Sequence, residues 1–211
     1  MIMYTKEMVN ITNFKAEDKP TNILREIFNK QKELMEKYWT KPVWEDIDTL
    51  KWAQEIRKFS KYTIEELSEA YEAWDNLDHT HEELIDALHF LVEKLMIANL
   101  TFDKILAYSN RSEEKIRDDI KKCADSFKDK DKEFYYWKAA YRANIADNRL
   151  RNKEWKNEQI ATNRELFYKE CSTWFFSFLI ALYNLGINED KLRDLYSRKN
   201  QVNHFRIKSN Y

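Results

Sequence analysis

The sequence predicts an all-α fold, and three observations carry that prediction. Its 211 residues include one Gly and two Pro, so turns that need positive φ are scarce and few positions interrupt a helix. Apolar residues recur at steps of three and four instead of alternating, the spacing that keeps them on one helical face. Hydrophobic residues make up 43% of the chain and charged ones 35%, which suits amphipathic helices around a core. A chain of this length can bury that core without staples, and residues 1–211 read as one all-α domain, a helical bundle with one inserted segment.

The elements follow in order. Residues 1–19 are polar and aperiodic and read as an N-terminal arm that ends at Pro20. From Thr21, the positions Ile23, Leu24, Ile27, Phe28, Gln31, Leu34, Met35 and Tyr38 mark a first helix, which Pro42 ends. Leu50, Ala53, Ile56, Ser60, Thr63, Leu67, Ala70 and Trp74 continue the period, as one helix or as two joined near residues 60–63. The stretch "DNLDHT" at 75–80 reads as a turn, and a third helix is expected from His81 to Ala98.

Between about 100 and 157 charge rises and amphipathicity weakens. This segment reads as an inserted helical hairpin that projects from the core or packs on a partner subunit. A long helix is expected from Asn157 to Leu185, with a core or interface stripe of Trp174, Phe175, Phe178, Leu179 and Leu182. Gly186 suits the left-handed position after its C-terminus, and a short helix closes the chain.

Composition excludes several functions. Thirty-six Lys and Arg against thirty-seven Asp and Glu leave a formal charge of −1, so no surface for duplex nucleic acid is expected. Cys123 and Cys171 stand 48 apart in no zinc or disulfide pattern and read as plain thiols. The N-terminus has no signal-peptide pattern, and no apolar run approaches the ~18 residues of a spanning helix. A cytoplasmic protein without membrane contact is the expectation. The single Gly rules out a phosphate-binding glycine loop.

The chemistry gathers in "TIEELSEAYEAWDNLDHTHEELIDALHFLVEKL", residues 63–95. Glu66 with Glu69, and Glu83 with Asp86, are spaced three apart, so each pair shares a helical face. Packed antiparallel, the two helices would bring four carboxylates together, a hard-oxygen set suited to Mg²⁺, with Mn²⁺ as the alternative. Against this stands a plain reading: "TIEE" and "THEE" are both capping boxes, with Thr63 or Thr80 as the cap and Glu66 or Glu83 reaching back. Capping explains neither Glu69 nor Asp86, and Asp86 falls among the core positions Leu84, Ile85, Leu88 and Leu91.

Glu-x-x-Glu, a spacer of 13 residues and Glu-x-x-Asp resemble the motif of the all-α nucleoside triphosphate pyrophosphatases. That superfamily includes MazG-like enzymes, dimeric dUTPases and phage dCTP pyrophosphatases. "ELIDALHFL" at 83–91 is similar to the dUTPase branch, and "LYSRKNQVNHFRIKSNY" resembles the C-terminal segment of the dimeric dUTPase and phage dCTPase branch. Lys199, Asn200, Asn203, Phe205, Arg206 and Tyr211 fill its characteristic places. The ending at Tyr211 is closer to the phage dCTPase form.

The resemblance implies Mg²⁺-dependent hydrolysis of dUTP or dCTP to the monophosphate and pyrophosphate, as nucleotide-pool sanitation by a homodimer. Glu66, Glu69, Glu83 and Asp86 would hold metal, with Glu66 also orienting or deprotonating the water. Lys199, Arg206 and Tyr211 would meet the phosphates, Asn203 the sugar or phosphate, and Gln31 the nucleoside. The branch usually carries Asn four residues after that Gln, where this chain has Met35, so the base stays unassigned. Two alternatives remain open: a MazG-like activity on other or modified nucleotides, and a non-enzymatic helical interaction protein. His89 reads as a catalytic or buried hydrogen-bonded residue, and Trp52 and Trp74 as core or base-stacking groups.

Overall fold

Six side chains set where most of the helices begin. Thr49, Asn76, Thr101, Asp131, Asn163 and Asn188 each accept a hydrogen bond from the backbone N–H three residues on, satisfying a donor the first turn leaves unpaired. The computed structural model describes residues 22–38, 48–151, 153, 155 and 160–209. Among them the helices are α1 (Ile23–Tyr38), α2 (Leu50–Glu72), α3 (Leu77–Ile97), α4 (Phe102–Ser109), α5 (Ile116–Asp125), α6 (Lys132–Arg149), α7 (Arg164–Asn184) and α8 (Glu189–Lys208). The described residues contain no strand. The expected N-terminal arm lies outside the described residues.

α2 and α3 form a closely packed pair joined by a short turn at residues 73–76. α7 is the apolar centre, with Phe167, Trp174, Phe175, Phe178 and Leu182 buried. α4, α5 and α6 all lie against α7, and α6 also touches α2. α1 and α8 pack on each other and both reach α3, so these three helices, all of which carry candidate chemistry, meet.

The structure decides the α2 boundary that periodicity left open and differs from the expected elements in four other places, α7 among them, which starts at Arg164 behind its Asn163 cap. α2 runs unbroken through residues 60–63, because Thr63 returns its hydroxyl to the Phe59 carbonyl at 2.8 Å and stays inside the helix. α3 starts at Leu77, within the expected turn, because Asn76 caps it. The segment expected as a projecting hairpin is three helices laid on α7; its apolar positions Ile116, Tyr136, Ala139 and Ala143 are buried there. α8 spans 20 residues and is not short.

At its C-terminus α7 closes as a Schellman turn. Ile187 N–H bonds the Leu182 carbonyl at 2.9 Å and Gly186 N–H the Tyr183 carbonyl at 3.2 Å, with Gly186 at φ +93°. That is the left-handed geometry expected of this glycine.

One charge lies at the heart of the core. Lys94 is fully buried, and its ammonium donates to Asp147 on α6 and Ser60 on α2. It also stands 4.6 Å from the centre of the Trp174 ring on α7. Ser60 in turn donates to Asp147 at 3.0 Å, so one cation ties four helices together. No helix of the described residues is long and apolar enough to cross a membrane.

Candidate active site

The α2–α3 pair positions the acidic residues. Thr63 sits in the middle of α2, and Thr80 sits one turn inside α3, with its hydroxyl on the Ala73 and Asn76 carbonyls at 2.9 and 3.0 Å. Neither threonine begins a helix, so neither capping box exists. Glu66 and Glu83 are therefore not held by helix ends.

Instead, Glu66 from α2 and Glu83 and Asp86 from α3 bring one carboxylate oxygen each within 4.8 Å of the others. All three are half-buried. Oxygens bound to one divalent ion at 2.0–2.6 Å lie at most about 5 Å apart, so this set fits a hard cation. Three carboxylates favour Mg²⁺ or Mn²⁺ over zinc. Glu69 is exposed on the same helix and lies outside the group of three, yet its charge is felt at Glu66.

Crowded carboxylates without enough positive charge hold protons. The Glu66 carboxyl is pushed up to about 8, first by burial, then by a hydrogen bond with Glu83 and the charges of Asp86, Glu69 and Glu83. Asp86 is also raised by burial, against the opposing pull of Lys199 and Arg206. His79 Nε2 stands 2.8 Å from Glu83 Oε1 at the rim.

The second wall is α8. The Lys199 ammonium is paired with Asp86 Oδ2, and the Arg206 charge two turns on also reaches Asp86. The Nε of Arg206 is buried without a partner among the described residues. Asn203 is half-buried between them. Tyr211 lies outside the described residues.

The third wall is α1. Gln31 is buried, and its Oε1 accepts from His89 Nδ1 at 2.9 Å and from the Tyr196 hydroxyl at 3.1 Å. The His89 and Tyr196 rings stack at 4.0 Å, 7° from parallel. A carbonyl oxygen only accepts, so Nδ1 carries the imidazole hydrogen. Burial and then the Lys199 charge push the imidazole down to about 3, which keeps it neutral, and its Nε2 has no partner among the described residues. His89 follows Asp86 by three residues and Tyr196 precedes Lys199 by three, so the Gln31 amide lies one helical turn from the Asp86–Lys199 pair. Met35 is buried one turn further along α1.

A family model described as dUTPase matches residues 24–211. The chain belongs to the dUTPase family. This membership makes it a nucleotide hydrolase by family, and the match runs through all three walls, from α1 to the end of α8. No curated protein and no solved structure gives a significant match.

The remaining polar and aromatic groups have structural places. His81 is buried, lowered by burial, and donates from Nε2 to the Leu185 carbonyl at 2.9 Å, tying the start of α3 to the end of α7. Trp52 is in the core, and Trp74 lies half-buried under the Lys132 ammonium at 3.8 Å. Cys171 is buried and Cys123 half-buried, both as free thiols.

Sequence reasoning placed Asn200 in the C-terminal motif but assigned no residue to the docking of α8. Asn200 is buried and donates to the Lys30 carbonyl at 3.4 Å, Lys30 reaches Ser197 at 3.1 Å, and Arg193 pairs with Glu26. The motif position of Asn200 was a signal in the chain, but nothing local names the Lys30 carbonyl as its partner.

Proposed function

We propose that this protein hydrolyses a pyrimidine deoxynucleoside triphosphate, dUTP or dCTP, to the monophosphate and pyrophosphate with Mg²⁺, Mn²⁺ being the alternative ion. The observation that carries the reading is the approach of Glu66, Glu83 and Asp86 within 4.8 Å, facing Lys199 and Arg206, in a chain of the dUTPase family. In this reading those three carboxylates, with Glu69 from the rim, hold the metal. A divalent ion so placed supplies charge neutralisation at the phosphates and acidifies water.

The chain's own groups supply the rest. Glu66, at the edge where α2 meets α3, orients or deprotonates the attacking water. Lys199 and Arg206 neutralise the leaving pyrophosphate, Tyr211 donates a hydrogen bond to it, and Asn203 meets sugar or phosphate. Gln31 meets the nucleoside: two donors already use its carbonyl, so its amide hydrogens are what it offers to an acceptor on the base. Kinship with the wider MazG-like superfamily, a homodimeric assembly and nucleotide-pool sanitation in the cytoplasm belong to the same proposal.

The deciding experiment is pyrophosphate release with Mg²⁺ from dUTP, dCTP, dTTP, dATP and dGTP, with Glu83→Gln and Asp86→Asn as controls. Turnover of a pyrimidine nucleotide, lost in both variants, is the expected result. No turnover of any nucleotide, with no rise in melting temperature on adding Mg²⁺ and a non-hydrolysable analogue, would leave the helical interaction protein as the reading.

A further inference from the structure

We propose that Lys199 is the resident counter-ion of the carboxylate group, and that a divalent cation and this ammonium hold Asp86 in alternation. Metal entry then releases Lys199 toward phosphate. The inference rests on the reading of Glu66, Glu83 and Asp86 as metal ligands.

Its basis is a conflict over one side chain. Asp86 is one of the three carboxylates whose oxygens converge, and Asp86 is also the group that Lys199 holds. Two cations on one half-buried carboxylate repel each other strongly, because the surroundings screen less than water does. The Lys199 side chain is 24% exposed, and four rotatable carbons let its ammonium swing while the backbone stays put.

Helix α8 does not depend on that ion pair for its place. Arg193 with Glu26, Lys30 with Ser197 and Asn200 with the Lys30 carbonyl fasten it to α1. Tyr196 and Asn200, on either side of Lys199, are buried. Lys199 can therefore leave Asp86 without α8 undocking, and the ridge it shares with Asn203 and Arg206 offers a polyphosphate its next contacts. A permanent structural salt bridge would have the opposite character: it would stabilise the fold and leave metal affinity indifferent to its removal.

The test uses Mn²⁺ alone, without nucleotide, on the full chain by titration calorimetry. If Lys199 occupies Asp86 about nine-tenths of the time, apparent Mn²⁺ affinity is lowered about tenfold, and Lys199→Gln should recover most of that factor. Arg198→Gln removes the same charge one residue away, from an exposed side chain paired with Asp194, and should change affinity by less than about twofold. In the unaltered protein, acetylation of Lys199 followed by mass spectrometry should be slow without metal and several-fold faster with Mn²⁺. Equal Mn²⁺ affinity in wild type and Lys199→Gln, or labelling unaffected by Mn²⁺, overturns the exchange while leaving the metal site standing. Wild type that binds no Mn²⁺ overturns both this inference and the proposed function. Should Lys199→Gln fail to fold, the labelling result on the unaltered chain decides.

Discussion

Glu66 makes the carboxylate group sensitive to pH. Its carboxyl stands near 4.5 when unfolded and is pushed up to about 8 in the fold, so the native state binds a proton that the unfolded state has lost. Stability from this group is full below about pH 4.5 and drains away as pH rises toward 8. The metal-free protein should accordingly melt at falling temperature across that window, and Glu66→Gln should flatten the slope; equal slopes in differential scanning fluorimetry would remove Glu66 as the cause. Added Mg²⁺ should raise the melting temperature more at pH 8 than at pH 6, because it replaces the proton. Glu69→Gln tests the rim: Glu69 is exposed, so the variant should keep its melting temperature within about a degree while turnover falls at least tenfold, as expected of a surface residue with no packing role.

At the scale of elements, buried charge and one turn decide how the helices hold together. Lys94 and Asp147 join α3 to α6, with Ser60 and Trp174 completing the set. Removing one partner of a buried pair strands the other, at a cost of about 3–5 kcal/mol. Lys94→Met should lose about that much in urea denaturation. Replacing both, as Lys94→Met with Asp147→Leu, should recover most of it, since an apolar pair leaves no stranded charge. Gly186 at φ +93° would meet the His81 ring no closer than 3.6 Å with a Cβ added. Gly186→Ala should therefore cost only backbone strain, about 1–2 kcal/mol, with activity retained.

For the molecule as a whole, the charged middle of the chain is part of the core. α4, α5 and α6 cover α7, whose buried aromatics would otherwise face water. Replacing residues 100–163 by a short linker should give an aggregated protein, because the exposed patch would exceed what a soluble domain tolerates; a monodisperse, helical product in size-exclusion chromatography and circular dichroism would contradict this. The same wrapping explains why α7, apolar over most of its surface, is a central helix of a globular bundle.

Much of the fold could be read from the chain because helix periodicity is local: Leu50 to Trp74 announce α2, and one glycine leaves little room for anything but helices. Boundaries were less legible. Thr80 and Glu83 matched a capping box as well as a true helix start would, and Asn76 won because the α2–α3 turn brought its side-chain amide oxygen to His79 N–H. The acidic residues could be nominated by spacing, which is also local. Lys94 could not be assigned a partner, since Asp147 is 53 residues away, and the pairing of Gln31 with His89 and Tyr196 spans still longer separations. The sequence by itself determined helicity, the apolar faces and the candidate ligands, all set by residues within a turn or two of one another. Only the tertiary structure decided that Glu66, Glu83 and Asp86 converge while Glu69 stays at the rim, and that Lys199 rests on Asp86. Those facts depend on how α1, α3 and α8 pack, and packing is a property of distant residues acting together.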